Sequence, residues 1–125
     1  MMGLRTDTLN TEAIWGEIEA IANFFQKKGI REVSLSYGFS CRTSEIYVPI
    51  KMPVSEILPF IQRSIHEGIY QVGRGELHIE GGSPPMLFVL CHAGDIHFES
   101  DADSANREVE RVWSDKGYRL HYYPA

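Results

Sequence analysis

Cysteine is scarce in this chain: Cys41 and Cys91 are the two residues of that type. Two thiols cannot build a disulfide framework or a four-thiolate zinc site, and free, partly buried thiols suit a reducing compartment. Long apolar runs are missing as well. No stretch approaches the ~20 residues that a helical membrane span needs, so no membrane partner is expected. The opening residues, Met1 to Asn10, lack a basic start followed by an apolar segment. The expected location is therefore the cytoplasm. Linker-like composition is absent too, which predicts a single α+β domain over residues 1–125, with residues 1–9 as a loose start.

Positive charge is thin in the second half. Residues 1–74 balance eight acids with eight bases, whereas residues 75–125 set nine acids against Arg107, Arg111, Lys116 and Arg119. The whole net charge of −5 thus lies in the second part, densest from Asp95 to Glu110. A field of that sign repels nucleic acid and attracts basic proteins. Phosphate loops are also missing. Gly73-Arg74-Gly75 and Gly81-Gly82 supply glycines, but neither pair opens a helix, as anion capture by helical N–H groups requires.

What is present reads as alternating short elements. Asn10 caps a helix whose stripe is Ile14, Ile18, Ile21 and Phe25, ended by Gly29. Val33, Leu35 and Tyr37 alternate with polar residues and predict a strand over 31–37. A second strand is predicted over 44–50, with Pro49 arguing for a sheet edge. A helix over 54–67 carries an awkward Pro59 and ends at Gly68. Strands are predicted at 69–72, 76–80, 86–91 and 95–99. A third helix follows, capped by Asp101, Asp103 or Ser104, with the stripe Ala105, Val109, Val112 and Trp113, and then a last strand over 118–123. The order is αββαββββαβ: a mainly antiparallel sheet of six or seven strands with three helices, in which ββαβ units recur.

One pattern occurs twice. Glu76-Leu77-His78-Ile79-Glu80 and Asp95-Ile96-His97-Phe98-Glu99 both read acid, apolar, His, apolar, Glu. Between them lies the apolar run Met86 to Cys91. A two-residue Ala93-Gly94 turn would pair Leu90 with His97 and Phe88 with Glu99. One face would then carry an apolar stripe, Phe88 and Leu90, between rows formed by Glu76, His78 and Glu80 and by Asp95, His97 and Glu99. Histidine and carboxylate are metal ligands by type, but strands flanking a middle strand lie about 9.6 Å apart, twice the inter-strand spacing. His78 and His97 therefore should not share one ion, and no metal or other cofactor is assigned. Cys91-His92 is read as a buried, inert thiol beside a histidine on the opposite face of the strand, not as a nucleophile pair.

The lead expectation is a non-enzymatic acidic module that binds or neutralises a basic protein, as an inhibitor or immunity protein does. Its partner surface would comprise Glu76, His78, Glu80, Phe88, Leu90, Asp95, His97, Glu99, Asp101 and Asp103. The alternatives are a small metal- or ligand-binding enzyme using His78, His97 and nearby carboxylates, and a self-associating domain with the stripe buried in a homodimer.

Overall fold

The amphipathic patterns of the sequence resolve into one sheet with its helices on one side. A computed structural model describes residues 2–38 and 49–124. The elements are β1 (Met2–Thr6), α1 (Thr11–Lys27), β2 (Glu32–Gly38), β3 (Ile50–Pro53), α2 (Ile57–His66), β4 (Glu76–Gly81), β5 (Met86–Leu90), β6 (Ile96–Ser100), α3 (Asp103–Asp115) and β7 (Leu120–Pro124). Among the described residues seven strands pair antiparallel in the order β3-β2-β4-β5-β6-β1-β7. The α+β class and the three helices agree with the sequence pattern.

Asn10 does cap α1: its side chain accepts the Ala13 N–H at 2.7 Å. The stripe Ile14, Ile18, Ile21, Ala22 and Phe25 is buried, and so is Glu17. Glu17 accepts from Trp113 Nε1 at 2.9 Å and Tyr118 Oη at 3.0 Å, and it pairs with Lys116. This carboxylate ties α1 to α3 and the segment that follows it. Pro59 is accommodated because a 3-10 turn, Val54–Glu56, precedes α2. Proline then falls in the first helical turn, where its missing N–H has no intrahelical partner to lose. Gly29, Gly68 and Gly117 follow the three helices with positive φ, the left-handed stop that glycine adopts without strain.

Several expectations need correction. The start expected to be loose over 1–9 is ordered over residues 2–6: β1 lies inside the sheet, between β6 and β7. Residues 69–72 form no strand; Gln71 instead accepts from Arg74 and Gly75 in a turn. The element order is therefore βαββαβββαβ. Most of the strand expected over 44–50 lies outside the described residues. Its described continuation, β3, is an edge strand bounded by Pro49 and Pro53, as the prolines favour. No acid caps α3: Ala102 occupies the N-cap, its N–H held by Ser100 Oγ, and Val112 faces outward at 39% exposure. A ββαβ order occurs twice, as β2-β3-α2-β4 and β5-β6-α3-β7, but the first closes on β4 and not on the strand expected at 69–72. They differ in the strand that splits each crossover: β2 lies between β3 and β4, whereas β1 lies between β6 and β7.

The core lies between the helices and one sheet face. Leu4, Leu35, Leu77, Ile79, Phe88, Leu90, Ile96 and Phe98 come from the sheet, and Ile18, Phe25, Ile57, Ile61 and Trp113 come from the helices. Edge-on aromatic contacts join the layers, with Phe24, Phe25 and Trp113 against Phe88. Val89 and Cys91 are buried too, yet they stand apart from this cluster because they point to the other face.

Candidate functional site

The face of the sheet away from the core is decided by the β5–β6 hairpin. Phe88 pairs with Phe98, Val89 with His97 and Leu87 with Glu99. The connection is a three-residue loop, His92-Ala93-Gly94, in which Gly94 takes φ +87° and Cys91 N donates to Asp95 O at 2.8 Å. A type I turn followed by a left-handed residue needs three positions, not two. That extra residue shifts the register by one and exchanges the faces of β5. Phe88 and Leu90 are therefore core residues, 3% and 1% exposed. The stripe between the two rows is Leu87 and Val89.

The rows themselves lie where the pattern put them. Val89 pairs with His78 on one side and with His97 on the other, so β4 and β6 flank β5 on this face. His78 and His97 do stand on strands separated by β5. Of the expected surface residues, Glu80, Asp101 and Asp103 are exposed, while His78, His97 and Glu99 are half-buried. Glu76 and Asp95 are buried, at 0% and 9%.

Burial of these acids has a local reason. Glu76 Oε2 accepts the His92 N–H at 2.8 Å and lies 3.1 Å from His92 Nδ1. Its Oε1 is 3.6 Å from His78 Nε2. Asp95 Oδ2 is 2.7 Å from His97 Nε2, and Tyr123 Oη is 3.2 Å from His97 Nδ1. Tyr123 also donates to Glu99 at 2.8 Å. Tyr123 reaches β6 from β7 by crossing Gly3 of β1, where any Cβ would meet the tyrosine ring at 2.5 Å. Glycine at that position lets one aromatic side chain span three strands.

Cys91 and His92 do not point to opposite faces. β5 ends at Leu90, so strand alternation stops, and Cys91 Sγ comes within 3.6 Å of His92 Nδ1. Two sets of ligand-type side chains consequently meet at Cys91: Glu76 and His92 on one side, Asp95 and His97 on the other, each set with donor atoms within 4.8 Å. Sequence reasoning missed this convergence, and also Leu87, Val89, Arg5 and Tyr123 as members of the face. The adjacency of Cys91 and His92 before a glycine turn was the available signal.

Beside this end of the sheet, burial raises the Tyr70 phenol well above its usual range, with the nearby Tyr37 and Glu76 adding to the rise. Burial likewise raises Tyr37. Comparisons with family models, curated proteins and solved structures give no significant match to this chain. The reading of the site rests on its own chemistry.

Proposed function

We propose that the chain is a non-catalytic binding module that takes a more basic protein onto the helix-free face of its sheet, neutralising or chaperoning it in the manner of an immunity protein. The observation that supports this reading is the division of the sheet. The described helices pack on one face, and the other carries Glu32, Glu80 and Glu99 against the cations Arg5 and Lys51. Leu87 provides an apolar contact point between Glu80 and Glu99, its cross-strand neighbours. An apolar centre with an acidic rim suits a basic partner, because complementary charge speeds encounter and fixes register while the centre supplies affinity. The net charge of −5 acts in the same direction at long range.

The test is affinity capture from the native cell with the wild-type chain and with the Glu80→Lys/Glu99→Lys variant, followed by cross-linking at carboxylates. The reading expects a protein of high isoelectric point, released by salt, lost from the variant and cross-linked to Glu80 or Glu99. Capture that is unchanged in the variant, or cross-links confined to the helices, refutes it. A wild-type chain that elutes at twice its monomer mass, and reverts on Leu87→Asp, assigns the face to a second copy instead.

A further inference from the structure

The distances around Cys91 carry a second reading, independent of any protein partner. A tetrahedral zinc ion takes sulfur at ~2.3 Å, nitrogen at ~2.05 Å and carboxylate oxygen at ~2.0 Å. Those lengths at a tetrahedral angle require an S···N separation of about 3.6 Å and an N···O separation of about 3.3 Å. Cys91 Sγ lies 3.6 Å from His92 Nδ1, and Glu76 Oε2 lies 3.1 Å from the same nitrogen. The third separation, sulfur to a carboxylate oxygen of Glu76, is within 4.8 Å.

From this we infer that Glu76, Cys91 and His92 form a three-ligand site for a zinc-class divalent ion. The other set is a poorer candidate. His97 Nε2 is only 2.7 Å from Asp95 Oδ2, a hydrogen-bond length shorter than two ligands of one ion allow, and its Nδ1 is held by Tyr123. The supports of the favoured set are in place. Glu76 has no exposed surface, and its Oε2 is oriented by the His92 N–H at 2.8 Å. The His92 side chain is 45% exposed, so the ion has a path from solvent and a fourth position for water or an incoming group. Thiolate, imidazole and carboxylate together suit zinc and cobalt; magnesium and calcium favour all-oxygen sites. Binding displaces the thiol proton, while a neutral imidazole that carries its proton on Nδ1 moves it to Nε2, so the ion is exchanged for a proton and affinity falls in acid.

Zn²⁺ titration by calorimetry in two buffers of different ionisation enthalpy, paired with Co²⁺ titration by absorbance, tests the site. The expected result is one ion per chain, proton release, a raised melting temperature and a thiolate-to-cobalt charge-transfer band. His92→Ala, at an exposed position, weakens binding about tenfold or more, and Cys91→Ser removes the band. His97→Ala leaves the affinity within about twofold. Absence of both heat and band overturns the inference. So does a pattern in which His97→Ala or Asp95→Asn abolishes binding while His92→Ala preserves it.

Discussion

Replacing Glu17 by alanine removes an acceptor that the folded chain uses three times. Trp113, itself 3% exposed, donates its indole N–H to Oε1 at 2.9 Å. Lys116 and Tyr118 approach Oε2. In the alanine variant the Lys116 ammonium and the Tyr118 hydroxyl turn to water, since both are partly exposed. The Trp113 N–H has no such exit, and a buried donor without a partner costs about 1–3 kcal/mol. Loss of the charge-assisted bonds adds about 1–2 kcal/mol, offset in part because a buried carboxylate no longer has to be desolvated. The expected loss is about 2–4 kcal/mol. Urea unfolding followed by tryptophan fluorescence measures it, and with an m-value of about 1.5–2 kcal/mol/M the midpoint falls by about 1–3 M. Glu17→Gln keeps an acceptor for Trp113 and should lose only about 1 kcal/mol. A spectrophotometric titration gives a second readout. The Tyr118 phenol is pushed up to about 12, by burial first and then by the Glu17 charge and hydrogen bond. In Glu17→Gln it should fall, while staying above the ordinary value because burial persists. A loss below about 0.5 kcal/mol in the alanine variant, within the usual range of surface substitutions, would refute the reasoning.

Three further outcomes follow from the same structure. Phe88→Ala should cost about 3–5 kcal/mol and Leu87→Ala about 1 kcal/mol or less in urea unfolding; the reverse order would restore the two-residue turn. Gly3→Ala should destabilise by about 1–3 kcal/mol by lifting the Tyr123 ring, and a double-mutant cycle with Tyr123→Ala should recover most of that loss. Tyr37, Tyr70 and Tyr118 have folded-state values raised above the unfolded ~10. Their contribution is full below about pH 10 and is lost as pH rises from there through the folded values. The urea midpoint should therefore fall between about pH 10 and about pH 12 by more than in a Tyr70→Phe variant.

α1 was the most legible helix in the sequence because its cap, stripe and glycine stop agree with one another. Asn10, Ile14, Ile18, Ile21, Phe25 and Gly29 each carry part of the signal for α1. The buried Glu17 was not legible, since a carboxylate inside a helical stripe reads as a solvated residue until its partners from α3 are in place. β1 left almost no pattern: Leu4 is its apolar core residue, while Gly3 and Arg5 face the other side. The doubled His pattern placed β4 and β6 correctly around β5. It misassigned the faces of β5 because Met86 to Cys91 is apolar on both, so only the turn length sets the register. Cys91 and His92 met for a similarly local reason, the end of β5 one residue before Cys91.

The position of β1 also governs the order in which the molecule can be completed. Met2 pairs with Ser100 and with Pro124, so β1 waits for partners about a hundred residues further along the chain. Contacts that distant in sequence close late, because the loop entropy must be met before the hydrogen bonds form. During synthesis β1 remains an open edge while the first ββαβ unit assembles. Removal of β7 would leave that edge exposed permanently, a template for pairing with another chain. β7 therefore covers the edge of β1, and Tyr123, lying across Gly3, is its clasp.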